Sequence, residues 1–161
     1  MECEYFKDES NYGDLIAETD YWVILLAPDQ RYLGTCVVAL KRFDGDLGGL
    51  TDEEWLDFGL IVKNLEAAIR KSFKSVLFNW GCLMNSSYLN DPPNPHVHWH
   101  LIPRYKNKTE FEDFIFEDPC FGSSTMKTNG VTSKVPEDVR WKIIKKIKDN
   151  LKKTVVKGDI K

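Results

Sequence analysis

The chain has 161 residues, with 22 Lys+Arg against 25 Asp+Glu and a formal charge of −3. That length suits one domain with room for a real core, and 42% hydrophobic with 29% charged residues is a globular balance, not a disordered one. The negative balance argues against a protein that grips nucleic acid, no apolar run reaches the ~18–20 residues of a membrane span, and Met1-Glu2-Cys3-Glu4 lacks the basic start and apolar stretch of a secretory signal.

Asp14–Thr19 and Tyr21–Leu26 are short, rich in β-formers, and end at the turn residues Pro28-Asp29-Gln30. Thr35–Leu40 is almost continuously apolar, which predicts a central strand. Thr51 opens the clearest helix as a capping box, Thr51-Asp52-Glu53-Glu54. Trp55, Phe58, Ile61/Val62, Leu65 and Ile69 then recur at helical spacing to about Phe73, predicting one buried stripe. Ser75–Met84 is a further strand candidate, Asn85–Pro95 a polar, Pro-rich loop, and His96–Tyr105 the next strand. Lys106–Lys134 is aromatic but irregular. Pro136-Glu137-Asp138 opens a second helix with Val139, Ile143, Ile147 and Leu151 inside. Lys142, Lys145, Lys146, Lys148, Lys152 and Lys153 form its solvated face. The sum is an α+β fold, an antiparallel sheet with helices on one face. We expect a single domain over 1–161, with a core at about 14–105 and an irregular segment and helix at 106–161. The four cysteines, Cys3, Cys36, Cys82 and Cys120, are widely spaced with no C-x-x-C pair. Reduced thiols in a cytoplasmic protein are expected, with a disulfide framework the less favoured alternative.

The chain has three histidines, all within five positions: His96, His98 and His100. Residues two apart on a strand share a face, so the imidazoles project from one side about 6–7 Å apart. Val97, Trp99 and Leu101 project toward a core. Three readings compete. Surface histidines on an open sheet face are the bland one, and clustering with no histidine elsewhere speaks against it. A zinc site is the second, but a third ligand at i+4 on one strand is too distant to meet the same ion without bending. Imidazole catalysis is the third. Near neutral pH a histidine can be a nucleophile or a proton donor. Neutral His98 could attack phosphorus while charged His100 steadies a phosphate oxygen, splitting one hard displacement into two.

His96-Val97-His98-Trp99-His100-Leu101-Ile102 resembles the His-φ-His-φ-His-φ-φ signature of the histidine triad (HIT) superfamily of nucleotide hydrolases and transferases, and Pro103-Arg104-Tyr105 continues the likeness. It extends over roughly Asp14–Tyr105. The resemblance implies a five-stranded antiparallel meander with two main helices, paired as a homodimer. It implies attack by His98 on the α-phosphorus of a dinucleoside polyphosphate or nucleoside phosphoramidate, with His100 on the phosphate and His96 holding the hydrogen-bond arrangement. Asn79 matches an asparagine that binds near the phosphate in relatives, and Asn85 resembles a second polar position in one subgroup. No cofactor is required by that chemistry; a divalent cation could accompany the substrate phosphates. A non-catalytic nucleotide-sensing module, or a zinc-dependent hydrolase, is the alternative. Four features depart from the pattern: Ala27 stands where many relatives carry a polar ribose ligand, Thr35 and Phe43 stand where many carry a histidine in or just after the Thr35–Leu40 strand, Asn90–Pro95 replaces their small polar segment before the triad, and the cysteine of some members' zinc site has no counterpart. Arg104, the cation nearest the triad, reads equally as a phosphate contact or as a structural ion pair. The Phe111–Phe121 aromatics are expected over the site or a dimer interface.

Overall fold

The computed structural model describes residues 12–125 and 134–152. Cys3, Lys153 and residues 126–133 of the irregular segment lie outside the described residues. The first three apolar runs become β1 (Asp14–Glu18), β2 (Trp22–Leu26) and β3 (Cys36–Leu40). The tight connection into β3 needs the left-handed backbone of Gly34 (φ 82°). The fully buried Gln30 braces it by donating to the carbonyls of Ala27 and Thr35 and accepting from the Gly34 amide.

Thr51 caps α1 (Asp52–Phe73) as expected. Its hydroxyl accepts from the Glu54 amide, and the Glu54 carboxylate accepts from the Thr51 amide at 2.8 Å. Glu54 is also buried against Arg42 (2.5 Å), tying the helix start to the end of β3. Phe58, Ile61, Leu65 and Ile69 line the buried stripe, whereas Trp55 is partly exposed.

The Ser75–Met84 run pairs only over β4 (Leu77–Gly81), and the triad strand β5 over His98–Arg104. His96 and Val97 precede that ladder but are held to the sheet, since the Val97 amide donates to Asp44 and its carbonyl accepts from Leu40. The expected polar loop begins with a 3-10 turn at Asn85–Leu89. The irregular segment contains an unexpected hairpin, β6 (Thr109–Phe111) and β7 (Phe114–Phe116), whose turn places Glu112 at φ 51°. The second helix, α2 (Glu137–Asn150), buries Val139, Ile143, Ile144 and Ile147, and Lys142, Lys145 and Lys146 are exposed.

The main sheet is antiparallel in the order β1-β2-β3-β5-β4. The expected meander is therefore broken at one step. α1 carries the chain past one strand position, so β4 is the outer strand and β5 returns between it and β3. Val97 and Leu101 enter the main core beneath the helices, and Trp99 stacks on Phe58 (4.9 Å) at its margin. Phe111, Phe114 and Phe116 join this same core, with Phe111 edge-on to Phe73. These three pack against the main core and not over the histidines, whereas Phe121, the last aromatic of the run, is exposed. The opposite sheet face carries a smaller cluster of Val23, Leu25, Ala27, Val37 and Ala39. Cys36, Cys82 and Cys120 are free thiols. Among the described residues no helix is long and apolar enough to cross a membrane.

Candidate active site

The sheet register puts the histidines beside the smaller cluster. Val37 lies opposite His100 and Ala39 opposite His98 on β3, and Gly81 of β4 lies opposite His100. A side chain on Gly81 would meet only Leu83, at 3.9 Å, so His100 has open space on its outer side. The His98 and His100 rings stand 5.1 Å apart, nearly perpendicular.

One hydrogen bond sets the chemistry of the middle imidazole. His98 Nδ1 lies 2.7 Å from the His96 carbonyl oxygen. A carbonyl can only accept, so Nδ1 carries the proton and Nε2 keeps its lone pair. His96 is itself buried, donates from Nε2 to the Arg42 carbonyl at 3.2 Å and stacks on Phe43. The end of β3 thus fixes His96, whose backbone fixes the tautomer of His98. Tyr12 was not anticipated. Its ring lies 4.7 Å from that of His98 and its hydroxyl 3.4 Å from Nδ1. A single tyrosine within the polar run Lys7–Asp14 gives no sequence signal of that contact.

Burial lowers the pKa of all three imidazoles, and the neighbouring His98 lowers those of His96 and His100 further. His98 is therefore neutral at pH 7, as a nucleophile must be. His100 is held neutral too, against the expectation of a charged His100. The sign for stability follows. With folded pKa values below the unfolded value of ~6.5, the unfolded chain binds more protons as pH falls. Stability should be level above about pH 7 and decline below about 6.5, by up to about 1.4 kcal/mol per pH unit for each histidine kept neutral. Thermal melts in a pH series check this, and a Tm flat from pH 7.5 to 5 would contradict it.

The polar candidates divide. Asn79 lies on the histidine face, two residues from Gly81, and lines an open cavity of about 390 Å³ with Leu77, Arg104 and Gly122 to Thr125. Asn85 starts the 3-10 turn and is exposed. Arg104 corrects the phosphate-contact reading. Its side chain is buried beside Asp118, with Nε 2.6 Å from Oδ2 and Nη2 3.0 Å from Oδ1. Its other N–H groups donate to Asn79 Oδ1 and to the carbonyls of Ser123 and Cys120. All five donors have protein acceptors, so Arg104 is a structural ion pair. Lys41 and Arg42 are likewise engaged, with Glu18 and with Glu54 and Asp44. At the expected ribose position, Ala27 is buried and its carbonyl accepts from Gln30 and Arg140. Nearby Asp29 is turned to its own loop, accepting from the Arg31 amide at 2.9 Å. Among the described residues no three His, Cys, Asp or Glu side chains converge as a metal cage.

No family model and no curated relative matches the sequence. Solved structures do. A histidine triad protein from Marinobacter aquaeolei superposes with a TM-score of 0.71 at 14% identity, over 94% of this chain and 97% of that one. One from Sinorhizobium meliloti gives 0.69 at 19% identity, over 92% and 94%. The chain has the histidine triad fold. A histidine triad nucleotide-binding protein described as hypothetical, from Sulfolobus tokodaii, is similar as well (TM-score 0.64, 13% identity, 90% and 87% covered). Within this histidine triad fold, the three imidazoles lie on β5 and its lead-in, where alternation from the sequence placed them.

Proposed function

We propose that the protein is a nucleotide hydrolase or nucleotidyl transferase of the histidine triad superfamily, working through a nucleotidyl-His98 intermediate. The observation that carries this reading is the His98 Nδ1–H donation to the His96 carbonyl, which leaves Nε2 as a neutral nucleophile. In the first step Nε2 bonds to the α-phosphorus and the bond to the leaving group breaks. Water then attacks the same phosphorus, the P–N bond breaks, and the nucleoside monophosphate leaves. His100, next along the same face, contacts the phosphoryl oxygens, and Asn79 supports them from β4. Asn85 remains a substrate-contact candidate from the 3-10 turn. The substrate class is a dinucleoside polyphosphate or nucleoside phosphoramidate, with a divalent cation as an optional companion of the phosphates. The setting is cytoplasmic, in a single domain.

The same reading includes a homodimer. Among the described residues β4 is an outer strand of the sheet, and it begins with exposed Leu77, preceded by exposed Val76. On α1, Leu56 and Leu60 are 72% and 53% exposed and flank Gly59, which has open space around it. Such apolar surface is ordinarily covered. Sedimentation should give twice the mass of one chain, and Leu56→Glu with Leu60→Glu should shift it to the monomer. A wild-type monomer at all concentrations would contradict the dimer.

The test of function is turnover of a panel of dinucleoside polyphosphates and nucleoside phosphoramidates. Release of nucleoside monophosphate supports the enzyme. Tight AMP binding with no turnover across the panel would identify a sensing module instead.

A further inference from the structure

Arg104 links the fold to the site through a contact that none of the proposed roles uses. Arginine has donors and no acceptor, so the atom of the Asn79 amide that faces Nη1 at 2.8 Å must be the oxygen. The amide of Asn79 is therefore oriented: Oδ1 is held on the guanidinium, and the NH2 group is the end left free of it, on the face of β4 that Asn79 shares with Gly81 opposite His100. Arg104 can hold it only because Arg104 is itself immobile. Asp118 takes two of its N–H groups, the carbonyls of Cys120 and Ser123 take two more, and both charged side chains are at most 1% exposed. Freed from Arg104, the amide could rotate and turn its oxygen toward an incoming phosphoryl group, where it would repel.

We propose that Asp118 and Arg104 are positioning residues, which act through Asn79 by fixing its amide as a hydrogen-bond donor toward the substrate's phosphoryl oxygens. This rests on the nucleotidyl-transfer reading above. It adds to it a role for a carboxylate 20 residues beyond the triad's middle histidine.

The rival explanation is that Asn79 merely satisfies one buried guanidinium donor. Asn79→Asp separates the two. A carboxylate of the same shape pairs with Arg104 at least as well, so the fold is kept. It offers no donor and adds a negative charge facing phosphate. The expected result is a Tm equal to or above wild type with kcat/KM lower by about 10–100-fold, the loss typical of a hydrogen bond to a charged group. Full activity in a stable Asn79→Asp protein would overturn the proposal. The relay itself is tested with Asp118→Asn, assayed well below its Tm. We expect kcat to fall by about tenfold in the wild-type background and to be unchanged when Asp118→Asn is added to Asn79→Asp, while the Tm loss persists in both. Independent, multiplying effects on kcat would overturn the relay and leave the His98 chemistry standing. Wild-type protein that turns over nothing on the panel would remove both.

Discussion

His98→Ala should lower kcat by at least about 10⁴-fold, the scale seen when a covalent nucleophile is deleted from an otherwise intact site. The reason is specific to the local geometry. The Nδ1 hydrogen bond to His96 orients the ring and leaves Nε2 as the free nitrogen, and the chain has no histidine outside the triad to replace it. Alanine removes that nitrogen without touching the main core, since Val97 and Leu101 carry the packing on the opposite side of the strand. The variant should therefore keep its fold, and binding of substrate should change far less than turnover. His98→Asn offers a shape control with the same expected loss. Steady-state rates beside a thermal melt check both. A folded His98→Ala protein with wild-type kcat would mean that the imidazole is not the nucleophile.

The second large effect is on stability. Asp118→Ala should cost about 3–5 kcal/mol, because it leaves the Arg104 guanidinium buried without its counter-charge. Arg104→Met should cost a similar amount by orphaning Asp118 and the carbonyls of Cys120 and Ser123. Combining Asp118→Ala with Arg104→Met should lose less than the two singles summed, since no unpaired charge remains in the interior. Urea unfolding gives all of these values. If Asp118→Ala lies within about 0.5 kcal/mol of wild type, as is usual for an exposed pair, the pair is not the buried clamp described above.

These two predictions draw on parts of the molecule that were unequally legible in the sequence. The histidine face was legible because strand alternation is a short-range rule: positions 96, 98 and 100 must share a side whatever the rest of the chain does. The α1 cap was legible for the same reason, since Thr51 and Glu54 are three residues apart. The exchange of β4 and β5 was not, because strand order depends on how the α1 connection crosses the sheet, and that leaves no periodicity. Arg104 could not be assigned from the sequence either. Its partner Asp118 lies 14 residues on, beyond a hairpin of three-residue strands too short to show a pattern. Tyr12 on His98 spans 86 positions and is an isolated aromatic in a polar stretch. The protonation of His100 followed burial, which composition does not reveal.

The central claim is that a covalent bond forms between phosphorus and His98 Nε2. Mixing the protein with an adenylated substrate, quenching in alkali and mapping the modified peptide by mass spectrometry tests it most directly, because phosphohistidine-type bonds survive base. The account predicts an adenylyl group on the peptide carrying His98, absent in His98→Ala. Substrate turnover at full rate with no adduct at any quench time, or an adduct on His96 or His100 instead, would contradict it.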